Sequence, residues 1–564
     1  IGGHFNFVPK ICEMLSENKI EGYNVPQGAI AQMLRDNAAH KVGTISHVGI
    51  GTFADPRNGG GRLSEKTKED IVKVIELEGQ EQLFYPRIPL DVAFIRGTYA
   101  DELGNITLEK EMAPLDATSQ AMAVHNNGGL VVVQVERVVK AGHLDPKLVK
   151  IPGIYVPSLY EVSYKEDGTI ANIQPHAPAK MPVMKALVND LTAADYPDTL
   201  VVPYGEVVHN RIMLEIFRGC TRGCRFCQAG MIYRPVRERS MERLLELAEK
   251  LVRATGYDEI SLMSLSSGDY SCLPDLAREM VKRYQEKRVK ISLPSLRIDS
   301  YLTDTLKETQ KVRKTALTLA PEAGSQRLRD VINKGVTEED LIRSVKEAFE
   351  NGWSAVKLYF MIGLPTETDE DVMGIADLAQ KVRQCYFAVP KGQRAPGLRI
   401  TVSASVFVPK PHTPFEWAAQ FDRETIHRRQ QMLRQALATM KGVDFKYHEM
   451  DVSFVEAAFA RGDRRIGEVL LRAWQLGCRF DGWTEYFHMD LWMRAFAEAG
   501  LDPAFYANRE RGEEEIFPWE HIDAGVTKEF LLREWHKALK AETTQDCRKG
   551  CVNCGIRRYK GACV

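Results

Sequence analysis

The chain has 564 residues, enough for about three domains, with 44% hydrophobic residues to fill their cores and a formal net charge of −1. That balance gives no sign of a global polyanion-binding surface, although it leaves a local patch open. No run of 18 apolar residues and no signal-peptide pattern occurs, so a membrane or secreted protein is not expected and a cytoplasmic one is.

Of the 11 cysteines, seven fall into two tight groups, while Cys12, Cys272, Cys385 and Cys478 are scattered. Without a secretory signal, grouping argues for metal ligation over disulfides, and the scattered four read as small buried hydrophobes. Ile1-Gly2-Gly3-His4 looks like the interior of a fold, so the chain is expected to be a fragment.

Residues 1–156 alternate apolar runs with Gly-rich loops: 43–57, then Leu90 to Thr98, then Gly129 to Glu136, with a helical pattern from Leu115 to Asn126. This suits an α/β domain with a largely buried sheet. Tyr23-Asn24-Val25-Pro26-Gln27-Gly28, Gly51-Thr52-Phe53-Ala54-Asp55-Pro56-Arg57, Ile95-Arg96-Gly97-Thr98-Tyr99-Ala100-Asp101 and Val135-Glu136-Arg137-Val138-Val139-Lys140-Ala141-Gly142 closely resemble words of the acetate and propionate CoA-transferases. The resemblance implies a two-lobed enzyme whose second lobe carries a catalytic glutamate, and nothing after residue 157 resembles that lobe. A covalent mechanism fails without its nucleophile. Glu109, Glu111 and Glu136 read as solvated surface carboxylates, and Gly51 to Arg57 as an acyl or CoA contact or a tight turn. CoA-transferase activity is therefore not expected.

Ile151-Pro152-Gly153-Ile154-Tyr155-Val156 fits both this half and the next. A chimera joined at that shared word is the expected origin, with residues 157–200 as a linker.

The apolar run Ile212-Met213-Leu214-Glu215-Ile216-Phe217 reads as a buried strand. It leads into Arg218-Gly219-Cys220-Thr221-Arg222-Gly223-Cys224-Arg225-Phe226-Cys227-Gln228-Ala229-Gly230, a C-x3-C-x2-C loop. Three thiolates can hold three irons of a cubane cluster and leave the fourth iron without a protein ligand. A zinc knuckle or scattered core cysteines are the alternatives; zinc normally takes four ligands, and the nearest histidine, His209, lies on the far side of the strand.

The loop resembles the cluster motif of radical S-adenosylmethionine (SAM) enzymes. That resemblance implies a [4Fe-4S] cluster on Cys220, Cys224 and Cys227, SAM on its open iron, and a low-potential flavodoxin or ferredoxin as electron donor. Together with Ala320 to Asp330 and the terminal cysteines, it points to an uncharacterised branch of radical SAM proteins that normally carry a cobalamin-binding domain. No Asp-x-His-x-x-Gly word is present, and no cobalamin is expected.

Strand patterns at 212–217, 258–264, 289–293, 314–319, 354–361 and 398–407 alternate with helical ones such as Met241 to Thr255. Thr337 with Asp340, and Thr368 with Asp371, read as N-caps, and Gly352 as a stop. The expected architecture is a partial (β/α)6 barrel over residues 201–440 with its site at the strands' C-terminal ends. By position, and as the resemblance implies, Ser267, Gly268 and Asp269 would meet the amino group of SAM, Ser295 its ribose side, Arg297 its carboxylate, and Glu322 its ribose or amine. The alternative for Glu322 is an N-cap or a first-turn acid. Ile362 and Gly363 would form an adenine ledge, with Phe226 packed near the same ring. Arg234, Arg237 and Arg239 would steer an anionic substrate or merely start a helix, and His412 would face substrate or cap a turn.

Residues 441–540 read as a helical cap over the barrel mouth, with helical spacing at Val452 to Ala460 and Ile466 to Leu476 and with Trp474, Trp483 and Trp492 packed inside. In the tail, 541–564, Cys547, Cys551, Cys554 and Cys563 suit a metal knot, either an auxiliary [4Fe-4S] cluster or a zinc site. The expected function is a radical SAM enzyme whose substrate the sequence leaves unknown, RNA or protein being the candidates; the alternative is a CoA-transferase-like half that only binds or scaffolds.

Overall fold

The structure is a computed structural model. It describes the chain except residues 3, 4, 6, 7, 102, 103, 112–115, 141–143, 145–148, 152–156, 177, 178, 180, 199, 201, 204–209, 294–297, 299–316 and 560–564. Expectations for Leu115, His209, Ser295, Arg297, Cys563 and most of the shared word at 151–156 fall outside the described residues. The chain divides into two compact units, Ile1–Tyr155 and Val156–Val564.

In the first unit, strands Val92–Arg96 and Leu130–Gln134 pair in parallel, and helix Ala117–Asn126 covers one face, burying Ala93, Ile95, Ala121 and Val124. Gly43–Ser46, Gln80–Pro86 and Lys73–Leu77 form an antiparallel sheet, and four short strands form a third. The largely buried sheet is not found. Phe94 is 80% and Leu130 63% exposed, because among the described residues the helix lies against one face only.

Among the described residues, the two larger parallel sheets of the second unit are built from strands here numbered β1 (Ile212–Glu215), β2 (Glu259–Met263), β3 (Lys290–Ser292), β4 (Leu317–Glu322), β5 (Ala355–Ile362), β6 (Arg399–Val406) and β7 (Val443–Tyr447). They form two sheets in the orders β1-β2-β3 and β4-β5-β6-β7, every pairing parallel. Helices Met241–Thr255 and Leu273–Tyr284 connect the first sheet; Glu338–Glu350, Asp369–Ala388 and Arg423–Ala438 connect the second. Leu214, Ile260 and Leu276 fill one core and Phe349, Phe360 and Val402 the other, as strands covered by crossover helices require.

Six strands match the expected ones to within a few residues. The seventh, β7, is additional and carries the sheet past residue 440; its pattern of half-buried alternation is too short to separate from a loop. Thr337 and Thr368 each close a full capping box with Asp340 and Asp371.

Two expectations are corrected here. The stretch 157–200 is no mere linker: Tyr160–Tyr164 and Ile170–Pro175 form a hairpin, and the Arg465 guanidinium lies 3.8 Å from the Tyr164 ring centroid. Among the cap tryptophans only Trp492 is buried, between Phe459 and the helices Ile466–Leu476 and Met489–Glu498. Trp474 and Trp483 are 56% and 65% exposed, since the buried stripe of the first helix runs through Ile466, Val469 and Ala473 instead.

Candidate active site at the cysteine loop

The loop leaves β1 through a short strand, Phe217–Arg218, paired antiparallel with Arg237–Glu238. Gly219 has φ +95°, and a Cβ there would lie 2.5 Å from the Pro235 carbonyl oxygen and 2.8 Å from that of Tyr233. Only glycine fits both the conformation and the space.

Cys220, Cys224 and Cys227 are partly exposed thiols. Burial first, then the neighbouring thiols of Cys224 and Cys220, push the Cys227 thiol up to about 11, so the three sulfurs share one small region. Its Sγ accepts the Gly230 N–H at 3.3 Å. Among the described residues no three His, Cys, Asp or Glu side chains gather as a single metal ion would need; a cubane gives each thiolate its own iron.

Between the thiols, Arg225 is fully buried. Its Nε and Nη2 donate to Glu534 Oε2 at 3.2 and 3.1 Å, its Nη1 to the carbonyl of Val331 at 2.9 Å, and its Nη2 to that of Glu542 at 2.7 Å. Asn333 bridges the same parts, donating to the Gly223 carbonyl at 3.1 Å and accepting the Thr544 N–H at 2.9 Å. The C-terminal segment thus holds the loop in shape. Phe226 is partly buried against a core that includes Trp417, Trp519 and Trp535.

The structure brings several other expected residues to this region. Glu322 ends β4 at φ +71°, uncommon for a residue with a side chain, and its carboxylate accepts from Lys334 Nζ at 2.9 Å. It is not a helix cap, since Ser325 caps the helix Gln326–Val331. Lys334 stands 5.9 Å from the Phe226 ring and also acts on Cys227. Sequence reading missed Lys334; the one signal is the turn Asn333-Lys334-Gly335, whose outer residues both have positive φ.

At the end of β5, Ile362 is buried and Gly363 has φ +89°. The Gly363 N–H donates to Glu367 at 2.6 Å, and Glu367 in turn is held by Arg429 at 2.9 Å. After β2, Ser267 is buried and donates to the Leu262 carbonyl, next to Gly268 in the 3-10 turn Ser267–Asp269. Asp269 accepts from Arg222 Nε at 2.9 Å, Arg548 at 2.9 Å and Ser266 at 2.7 Å. Burial opposes its ionisation, but these donors hold it down at about 2. An incoming amino group would have to displace a guanidinium.

Arg239 is buried and Arg237 half-buried, and their guanidiniums donate to the carbonyls of Val188, Tyr233 and Glu215 among others; for Arg239, substrate steering is corrected to a structural role. Arg234 is buried and donates through Nε to the Gly230 carbonyl at 3.0 Å. Its Nη1 has no partner among the described residues, and Nη2 lies 3.6 Å from where a Gly223 Cβ would stand. His412 sits in a turn at φ +56°, its N–H donating to Glu416 at 2.7 Å.

In the first unit, Gly51 to Arg57 forms a tight turn in which Asp55 accepts the N–H of both Gly51 and Arg57. Glu136 pairs with Lys110 at 2.7 Å and Glu111 with Arg96 at 3.4 Å.

Two family models match: radical SAM superfamily over residues 214–379 and coenzyme A transferase over residues 6–161. This chain carries a radical SAM domain preceded by a CoA-transferase domain. The CoA-transferase domain is similar to the acetate CoA-transferase YdiF of Escherichia coli, 51% identical over 154 residues, 27% of this chain and 29% of that protein. That identity leaves CoA transfer open for this chain, against the expectation of none. The radical SAM part is similar to an uncharacterised Methanocaldococcus jannaschii protein, MJ0966, 35% identical over 280 residues, 50% of this chain and 58% of the relative. It is also similar to a probable threonylcarbamoyladenosine tRNA methylthiotransferase of Archaeoglobus fulgidus, 29% identical over 30% of this chain and 42% of that protein. The chain therefore spans less than two thirds of each. The radical SAM methyltransferase TsrM of Kitasatospora setae, solved with cobalamin and a [4Fe-4S] cluster, is 17% identical at a TM-score of 0.29 over 36% of this chain and 38% of its own; at that score nothing follows for or against cobalamin here. Radical SAM domains imply a [4Fe-4S] cluster and SAM. Among the described residues no helix is long and apolar enough to cross a membrane.

Proposed function

We propose that Cys220, Cys224 and Cys227 hold a [4Fe-4S] cluster that leaves one iron for SAM, and that the second unit is a radical SAM enzyme. The observation that carries this reading is the grouping of three soft thiols on one templated loop at the C-terminal end of β1. Three thiolates fit a cubane with one open corner. A cluster held by these residues would supply the one-electron reduction that cleaves SAM to methionine and a 5'-deoxyadenosyl radical.

The chain's own residues hold and shield the reactants. Glu367 fixes the Gly363 turn as a ledge for adenine, and the Glu322–Lys334 pair offers a carboxylate and an ammonium to the ribose and carboxylate of SAM. Ser267, Gly268, Asp269, Ser295 and Arg297 are further proposed contacts, and Phe226 packs beside the ring. The electron donor in this reading is a low-potential flavodoxin or ferredoxin.

Of the two substrate classes, RNA is favoured over protein by a cavity of about 680 Å³ next to the loop, lined by Arg222, Lys334, Arg533, Lys537 and Lys549 against Glu534 and Asp546. Such a basic lining suits phosphates, and the similarity to a tRNA methylthiotransferase agrees with it.

Anaerobic reconstitution with iron and sulfide, then dithionite and SAM, tests the proposal. 5'-Deoxyadenosine should form and should vanish in Cys224→Ala; an unaltered yield in that variant would overturn the ligand assignment.

For the first unit, the 51% identity to an acetate CoA-transferase favours a second reading, an acyl-CoA-binding half that does not transfer. Its surface glutamates Glu111 and Glu136 are tied to Arg96 and Lys110 rather than poised to attack. Acetyl-CoA binding without acetyl-CoA:propionate exchange is the expected result, and robust exchange would reject it.

A further inference from the structure

The sheet β4-β5-β6-β7 buries its helix side and leaves polar residues on the other. Val356, Leu358, Phe360 and Ile362 of β5 pack with Phe349, Ile375 and Leu433 of the covering helices. Alternation along the strand turns Lys357, Tyr359 and Met361 to the opposite face. There the register sets Lys357 between Thr318 of β4 and Thr401 of β6, and Ser403 of β6 beside Tyr359. Tyr359 is 37% exposed, Thr318 is exposed, and Lys357, Thr401 and Ser403 are partly exposed. Parallel sheets are normally covered on both faces and read as apolar runs, so an open face of lysine, tyrosine and hydroxyls calls for an occupant.

Two contacts define the chemistry of that occupant. Lys357 Nζ donates to the Tyr359 hydroxyl oxygen at 2.5 Å and stands 4.4 Å from the ring centroid. Because the phenol oxygen accepts this bond, its own proton is left to donate outward. Among the described residues Lys357 makes no ion pair. The two side chains thus present an unneutralised ammonium, a phenol O–H and an accessible ring. An ammonium meets a phosphate, and an exposed tyrosine ring stacks a base; one unpaired nucleotide carries both groups.

The pair is also close to the cysteine loop. Met361, two positions further toward the C-terminal end of β5, is buried in the core against which Phe226 of that loop packs. Two residues of strand span about 7 Å, so Tyr359 lies one such step below that core.

We propose that Tyr359 and Lys357 form the subsite for an unpaired nucleotide of a single-stranded RNA segment, Tyr359 stacking its base and Lys357 holding its phosphate. A duplex keeps its bases stacked and cannot offer one to the ring. The proposal deepens the RNA reading given above and rests on it.

The test uses the full chain, reconstituted anaerobically with iron and sulfide, and fluorescence anisotropy with a short labelled single-stranded RNA. The same sequence as a duplex and adenosine 5'-monophosphate serve as competitors. The wild type should bind the single strand more tightly than either. Tyr359→Ala should weaken single-strand binding about tenfold, and Tyr359→Phe, which keeps the ring, should recover most of it. Lys357→Met should flatten the slope of log affinity against log salt by about 0.7, the share of one phosphate on a single strand, and Lys357→Arg should restore it. An unchanged salt slope in Lys357→Met, a loss that Tyr359→Phe does not recover, or equal binding of duplex or mononucleotide by the wild type overturns the subsite. Variants that bind the single strand as the wild type does overturn the subsite and leave RNA as the substrate class, whereas a wild type that binds no RNA overturns both. A wild type that shows all of these effects but makes no 5'-deoxyadenosine keeps the subsite and loses the radical SAM reading.

Discussion

Arg225 and Glu534 form an ion pair 3.1 Å apart with side chains 0% and 3% exposed, across 309 positions of sequence. Taking both charges out of water is costly, and breaking such a pair from one side strands a buried charge at about 3–5 kcal/mol. Glu534→Ala should therefore lower the unfolding midpoint and leave the cluster loop unable to retain iron, as read by urea unfolding and by iron content after reconstitution. Glu534→Gln, which keeps an acceptor for the guanidinium, should recover part of both. A variant as stable as the wild type would show that the pair does not hold the loop.

Gly219→Ala tests the loop's entrance. The added methyl would press on two backbone oxygens at 2.5 and 2.8 Å in a left-handed conformation, strain on the order of 1–3 kcal/mol. Iron loading should fall several-fold while far-UV circular dichroism stays unchanged; full loading would show that the loop can move aside.

Arg234 offers a buried N–H with no partner among the described residues, close to Gly223. If it donates to the bound cluster, Arg234→Met should make the reduction potential more negative, since donors to sulfur stabilise the reduced state. One hydrogen bond of about 1 kcal/mol corresponds to a shift on the order of 50 mV for a one-electron couple. An EPR-monitored redox titration measures it, and an unchanged potential would assign Arg234 to packing alone.

The turn at His412 and Glu416 predicts a pH dependence. Burial raises the Glu416 carboxyl from 4.5 to about 7, against donors at Trp519 Nε1 and His412 N. The folded state then holds this proton more tightly than the unfolded one, so the contribution is full below pH 4.5 and is lost as pH rises through about 7. Burial lowers the His412 ring from 6.5 to about 4, giving stability that is present above pH 6.5 and lost as pH falls through about 4. Between 4.5 and 6.5 the two slopes oppose each other, and from 6.5 to 7 only the Glu416 loss remains. Glu416→Gln should flatten the high-pH side, an effect of up to about 3 kcal/mol, visible in melting temperatures from pH 5 to 8. A parallel offset at every pH would contradict it.

What could be read from the sequence was local. The apolar run before Cys220, the cap pairs Thr337 with Asp340 and Thr368 with Asp371, and the strand at 355–362 each carry their signal within a few residues. The pairings of Lys334 with Glu322, of Glu534 with Arg225 and of the Cys547 N–H with the Thr221 carbonyl leave no local pattern, because the partners lie 12 to more than 300 positions apart and charged side chains have no periodicity. Trp474 and Trp483 misled for a related reason: large size predicts burial only where a helix stripe points inward, and the stripe passes through Ala473. Arg237 and Arg239 read as surface charge since their acceptors are backbone carbonyls, which no side-chain pattern reveals.

The span between Arg225 and Glu534 also sets an order of events at birth. A ribosome adding about 5–20 residues per second exposes the three thiols some tens of seconds before the helix that locks them has been made. Through that interval the nascent thiols lack the clamp that shapes their loop, and a chain that stops short of Glu534 lacks the carboxylate that Arg225 pairs with.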